Sequence, residues 1–390
     1  MWKPAKKEEE IKIATGIDLG SLHLRVSIII NAGDERHVIH SEIESDGVRS
    51  GVIVDERLLA NSIIKLKNRI KADYGINITH AAVGISGNTI CSGYTFGSHM
   101  VSRGDGVINY SDIDAAISKA KSAYGKHNMY ILESIPIKYR LDNKVTTPPV
   151  AGLHANKLEI KLMSIACDAQ IYNKLFTAMK IAKIEISEAV SSSFAEAELL
   201  LSKKDKSQGS ILINISSAFT SVIIYNAWEP IYASSIQYGT ESIIKAIALC
   251  LKLKLEDAEL LMRGNSRESY SKRKLDEVLT NEAAKLANLI NAELDKVHLR
   301  EMLPSGVILL AKTHNINTFN IVLRDKLSLP MRHIDNNNVK FENTKIQDSA
   351  YVRSYAIAQR DYDITENEVV LGAFGQTLSR IKTMRSQFLP

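Results

Sequence analysis

The sequence predicts an α/β protein: a duplicated two-lobed fold with a small α+β subdomain inserted in its first lobe. Three observations predict it. Two β-hairpins of one shape open the two halves of the chain, "ATGIDLGSLHLRVSIII" (Ala14–Ile30) and "LINISSAFTSVIIYN" (Leu212–Asn226). Between residues 88 and 165 the texture turns polar and glycine-bearing. The charged stretch "SKKDKSQG" (Ser202–Gly209) has no apolar residue and ends in glycine, so it reads as the boundary between halves. A duplicated unit of hairpin followed by helices sets its two turns facing each other across a cleft.

The elements follow in chain order. Residues 11–30 read as the first hairpin, with a third strand around His37–Glu44. Leu58, Leu59, Ile63, Leu66 and Ile70 recur at helical spacing, and Gly75 stands just past that helix. "ITHAAVGISG" is a strand ending at Gly84 and Gly87. Within the insertion, "YSDIDAAISKAKSAYG" reads as a helix with Ser111 as its N-cap. The strands "YILESIPIKYRL" and "KLEIKLMSIAC" flank the loop "NKVTTPPVAG". "AQIYNKLFTAMKIAKIEI" and "SFAEAELLLSKK" are helices. The second half runs from its hairpin through a strand pair around "WEPIYASSIQYG" to three helices, "TESIIKAIALCLKL", "LEDAELLMR" and "KLDEVLTNEAAKLANLINAELDKV", and then the strand "GVILLA". The domains expected are 1–87 (first lobe), 88–165 (insertion), 166–206 (closing helices of the first lobe), 207–370 (second lobe, with a helical part at about 240–300) and 371–390 (a C-terminal segment).

Composition sets limits. The 390 residues carry a net charge of +5, with 45% hydrophobic and 24% charged residues, as an ordinary soluble globular protein does. That charge is too mild to argue for nucleic acid, and no stretch interleaves Lys or Arg with aromatic residues. Cys91, Cys167 and Cys250 lie far apart, which fits a reducing compartment and excludes a disulfide framework. "MWKPAKKEEE" is a charged tail without the apolar core of a signal peptide. No run approaches the ~20 apolar residues that span a bilayer. The expectation is a cytosolic chain, anchored at most peripherally.

Certain blocks resemble a known family. "GIDLGS" (Gly16–Ser21), "GVIVDERLLANSI" (Gly51–Ile63), "AAVGISGNTI" (Ala81–Ile90), "IPIKYRLD" with "PPVAG", "LEIKLMSIAC", "AEAELLLS", "QYGTESIIKAIA", "DAELLM" and "LPMRHID" followed by "YAIA" are similar in order and spacing to FtsA, the actin-like bacterial cell-division protein. "VGISG" and the insertion after it are the most specific part, because actin, MreB and DnaK carry their additional subdomain elsewhere. The resemblance implies an actin-like (ribonuclease H-like) fold. It also implies a peripheral place on the cytoplasmic face of the cell membrane at the division site. The partners it implies are the FtsZ C-terminal tail, anionic membrane lipids, further copies of the chain and downstream divisome proteins. Family members bind ATP with Mg²⁺ between their lobes.

A phosphate turn needs glycines for close backbone approach and a carboxylate to organise Mg²⁺. The first hairpin keeps Gly16, Asp18, Gly20 and Ser21. The family's second turn reads roughly D-x-G-G-G-T-T-D, and here the matching residues are Asn214, Ser216, Ser217, Ala218, Phe219, Thr220 and Ser221. Both carboxylates and all the glycines are gone, and Phe219 is expected to fill phosphate space. Leu310, Ala311, Lys312 and Thr313 replace the adenosine-side T-G-G-G, Met262 replaces a lysine, and Gly239 alone remains of a glycine pair. The expectation is a pseudo-ATPase with no cofactor or weak residual ATP binding, and no catalytic residue or metal site. A working ATPase of the same fold and a PilM-like pilus or secretion adaptor are the alternatives.

Two surfaces are candidates for binding. Arg267, Lys272, Arg273 and Lys274 in "RESYSKRK" could attract an acidic FtsZ tail, and a solvated loop explains them equally well. Glu282 and Lys285 reverse a charge pair that the family carries on the same long helix, and at i, i+3 they can still pair. At 100° per residue, Phe374, Leu378, Ile381, Met384, Phe388 and Leu389 share one side of the C-terminal segment. Lys382 flanks that side and Arg385 falls inside it, where it must snorkel. Set apart by "DITENEVV" and two glycines, this basic amphipathic segment suits an anionic membrane surface. His80, His127 and His154 have no metal spacing, and "NIT", "NYS" and "NIS" carry no meaning as glycosylation sites in a cytosolic chain.

Overall fold

The computed structural model describes residues 11–371 apart from 34, 88, 103, 126–127, 147, 265–269, 299–302, 312–316, 335–338, 342–343 and 347–348, and leaves the side chains of 339–349 and 364–371 aside. The first lobe opens with β1 (Lys12–Leu19), β2 (His23–Ala32) and β3 (Glu35–Glu44). A short pair, β4 (Val48–Arg49) and β5 (Val52–Ile53), leads into α1 (Glu56–Tyr74) and β6 (His80–Ile85). The insertion supplies β7 (Cys91–Met100), α2 (Tyr110–Ser122), β8 (Met129–Leu141), β9 (Lys144–Thr146) and β10 (Lys157–Asp168). The first lobe then closes with α3 (Ala169–Ile181), β11 (Glu185–Ser191) and α4 (Ser192–Leu200).

After α5 (Lys203–Gln208) comes the second lobe. It holds β12 (Ser210–Ile215), β13 (Thr220–Asn226), β14 (Glu229–Ile236), α6 (Thr240–Leu251), α7 (Leu255–Met262) and α8 (Lys272–Asp295). It continues through β15 (Val307–Ala311), α9 (Asn317–Leu327), β16 (Met331–His333) and the small pair β17 (Val339–Phe341) and β18 (Thr344–Ile346). A long helix, α10 (Val352–Leu371), ends the described chain.

The duplication is visible in the strand orders. The first sheet runs β3-β2-β1-β6-β11, and the second lobe repeats it as β14-β13-β12-β15-β16. In each lobe three antiparallel strands form a meander and two more lie parallel to the first. The insertion has its own small core, including Ile113, Ala116, Tyr139 and Leu162. Its strands extend the second lobe's sheet, because β7 pairs with β14 at Cys91 and Ser234. Two side-chain bonds support that junction: Ser92 Oγ accepts from the Ala233 amide at 2.9 Å, and Tyr94 donates to the Ile231 carbonyl at 2.8 Å.

α10 does not stay with the second lobe, where the boundary at 370 placed it. It returns to the first and packs across β1, β2, β6 and α4. β1 is thereby covered on both faces, and Ala14 through Leu19 are all buried. Gly16 and Gly84 make this possible: a Cβ at Gly16 would overlap the α10 backbone at Ser354 and Ala358, and one at Gly84 would overlap Ile357 and Ser192. The segment "DITENEVV" is the continuation of α10 rather than a spacer, since it contains neither glycine nor proline to stop the helix.

Local details differ from the expectations in three further places. In α1 the buried stripe is Leu59, Ile63, Leu66 and Ile70, while Leu58 faces solvent in the first turn, where the Asp55 carboxylate caps Arg57 and Leu58. The cap of α2 is Asn109, in a reciprocal box with Asp112, and Ser111 donates to Asn109 instead. "SKKDKSQG" is helical, because Ser202 and Asp205 form the same kind of box. Asp205 also holds Arg332 of β16 at 2.5 Å, which ties this boundary helix to the second lobe.

Candidate functional site

The two hairpin turns meet where α4 and α10 cross, and the groups gathered there form the candidate site. From the first turn, Asp18 is buried, and Ser192 at the start of α4 donates to it at 3.5 Å. Ser21 accepts the Gly51 amide at 3.0 Å, so its hydroxyl serves the link between turn and β4–β5 loop. Gly20 lies tight against the His23 carbonyl inside the turn, and Gly16 faces α10. Of the four residues expected to form a remnant phosphate loop, only Asp18 is placed near the polar groups of the cleft.

The second turn is committed elsewhere. The Ser216 amide donates to the Phe219 carbonyl at 2.9 Å and closes the turn. The carbonyls of Ser216 and Ser217 accept the amides of Thr240 and Glu241 at 2.9 and 2.8 Å. Those amides begin α6, and helix N-termini are ordinary anion sites. Gly239 is required for this contact, since a Cβ there would overlap both serine carbonyls. Phe219 is buried with its ring against the first lobe: a Cβ on Gly51 would stand 3.0 Å from the ring edge, and Gly51 itself lies against Gly87.

Between the turns lies a polar junction centred on Glu196 of α4, only 2% exposed. Asn214 donates to Glu196 Oε2 at 2.6 Å, and Arg353, in the first turn of α10, reaches the same oxygen at 3.4 Å. Arg353 also donates to Ser216 Oγ at 3.2 Å. Burial works against the charge of Arg353, but Glu196 and then Asp18 outweigh it and raise its pKa above the ordinary value. A turn built this way does not fit a metal-bound triphosphate. The second turn's carbonyls, which repel phosphate, occupy the α6 amides, an aromatic ring fills the space beside Gly51, and an arginine stands among the carboxylates.

The remaining sequence candidates scatter. Met262 and Leu310 are buried, and Met262 packs in the second lobe's core. Lys272, Arg273 and Lys274 start α8 beside a surface groove of about 630 Å³ that also presents Asp276 and Glu277, and Arg273 pairs with Glu277 at 3.1 Å. This surface is therefore of mixed charge. Glu282 accepts from Tyr238 at 2.6 Å, with Lys285 4.0 Å away. Arg267, Phe374, Leu378, Ile381, Lys382, Met384, Arg385, Phe388 and Leu389 lie outside the described residues. Glu196 and Arg353 were missed. Their signal was a charged residue amid the small apolar run "SFAEAELL" and another in "YVRSYAIA".

Residues 94–166, the insertion, match the model of the SHS2 domain inserted in FTSA. The sequence is 24% identical to the cell division protein FtsA of Bacillus subtilis (strain 168), over 76% of this chain and 73% of that protein. Against the FtsA of Pseudomonas aeruginosa it is 21% identical over 82% of each. Together the matched insertion and these relatives support an FtsA-family protein. Among solved structures, the chain is similar to the PilM-PilN type IV pilus biogenesis complex, with a TM-score of 0.65 at 13% identity, covering 89% of this chain and 98% of that one. The ethanolamine utilization protein EutJ from Carboxydothermus hydrogenoformans follows at a TM-score of 0.51 and 14% identity, covering 89% of both chains. At such identities the likeness is one of fold: these neighbours share the actin-like architecture, and the SHS2 insertion marks the family.

Proposed function

We propose that this FtsA-family chain acts in cell division as an adaptor that tethers FtsZ filaments to the inner face of the cytoplasmic membrane and gathers further division proteins, without hydrolysing ATP. The division role is supported by relatives named cell division protein FtsA that match across three quarters or more of the chain. The observation that carries the non-hydrolysing part is the second turn, whose Ser216 and Ser217 carbonyls cap α6 where a phosphate would need open amides. The basic amphipathic stretch from Phe374 to Leu389 supplies the membrane contact, weak for one copy and firm for an assembled row. At the mixed-charge start of α8, Lys272 and Lys274 beside the Arg273–Glu277 pair supply the positive charge for an acidic FtsZ tail.

Sedimentation with liposomes of anionic lipid tests the tether. The full chain should pellet and a chain ending at Leu371 should remain in the supernatant; equal pelleting would place the membrane contact elsewhere. An FtsZ tail peptide should bind the full chain at micromolar concentration, and reversal of Lys272, Arg273 and Lys274 to glutamate should weaken it about tenfold or more. A peptide that fails to bind would remove FtsZ from the proposal.

A further inference from the structure

The junction at Glu196 joins parts of the chain that are far apart in sequence. Glu196 belongs to α4, Asn214 and Ser216 to the second lobe, and Arg353 to α10, which is fastened to the first lobe by buried Val352, Tyr355 and Ala356. Two donors, one from each side of the cleft, converge on a single carboxylate oxygen. Asp18 adds a second buried carboxylate nearby. Two buried carboxylates require a cation, because an unpaired buried charge is costly. The chain supplies one from its own C-terminal helix.

We infer that Arg353 is the built-in cation of the cleft: its guanidinium, bound to Glu196 and Ser216, holds the two lobes at a fixed angle without a metal-bound nucleotide. Asn214 is the matching change. As an amide it donates to Glu196 at 2.6 Å, whereas an aspartate there would set two carboxylates against each other. The loss of the acid at 214 and the presence of an arginine at 353 thus form one arrangement. A single guanidinium nitrogen, Nη2 of Arg353, donates to both Glu196 Oε2 and Ser216 Oγ.

This inference rests on the nucleotide-free part of the proposed function and explains how the lobes are held. The test uses the full chain with spin labels at Cys250 and at a cysteine introduced for Lys71, in a Cys91→Ala background. Pulsed electron resonance should give one narrow inter-lobe distance in the absence of nucleotide, and Arg353→Met should broaden it. Arg353→Met should also make the protein responsive to Mg²⁺ alone. Millimolar Mg²⁺ should raise its Tm by roughly 2–4 °C and leave the wild type unmoved. Should that variant fail to fold, the neutral Arg353→Gln carries the same prediction, with a Mg²⁺-dependent Tm appearing where the wild type has none. Unchanged distances in Arg353→Met, or no Mg²⁺ response in the variant that folds, would overturn the assignment. Tight Mg–ATP binding by the wild type would instead remove the nucleotide-free reading, while the distances measured without nucleotide would still decide the role of Arg353.

Discussion

The two hairpins share strand order, pairing and position in their lobes, yet their turns have been put to different use. The first turn keeps Asp18 directed at the cleft's polar groups, and its strands are clamped by α10 through Gly16 and Gly84. The second turn folds its carbonyls onto α6 and presses Phe219 onto Gly51. The backbone is thus retained for architecture while the atoms that could meet a phosphate are spent inside the protein. A duplicated fold tolerates this, because each hairpin is also a wall of its lobe's core.

Four substitutions sharpen the contrast. Gly16→Val should be the most damaging, because its side chain meets α10 backbone that has no room to move. A loss of about 3 kcal/mol is expected in urea unfolding. Phe219→Ala removes the inter-lobe ring and should cost about 2–3 kcal/mol by the same measurement. Gly239→Ala strains the seat of the second turn on α6, with a cost of about 1–2 kcal/mol. If Gly239→Ala proved harmless while Gly16→Val did not, the second turn would not depend on α6 as described.

The smallest effect concerns pH. Asp361 of α10 accepts the Thr15 amide at 2.9 Å and the Ser187 hydroxyl at 2.5 Å, beside the first hairpin. Burial raises its pKa, against those two hydrogen bonds and His80, with Glu188 adding to the rise. The folded state therefore holds this proton more tightly than the unfolded chain. Its contribution is full below the unfolded carboxylate pKa and is lost as pH rises through the folded value. Asp361→Asn should remove that loss, so its stability relative to wild type should improve as pH rises from the acid range to neutrality. A constant difference between the two unfolding curves across that range would contradict the shift.

The duplication, the insertion and most strands were legible in the sequence, since alternation and helical spacing are local signals. The cleft was legible only in part. That the second turn had lost its glycines could be read directly, but what the turn does instead could not. Thr15 meets Asp361 and Ser216 meets Arg353 across most of the chain or a third of it, and no periodicity announces such pairs. The return of α10 to the first lobe had a faint sign: Ser354 and Ala358 are small residues one turn apart, matching a glycine within a strand. Ser202–Gly209 misled because its polar composition resembles a loop, whereas its capping box makes a helix.

The most direct test of the contrast between the turns is a calorimetric titration of the wild-type chain with Mg–ATP. A second turn spent on α6 and a cleft closed by Arg353 predict no heat and no change in Tm up to millimolar nucleotide. Binding at micromolar concentration would contradict this and would mean that the Ser216–Phe219 turn opens to receive a phosphate.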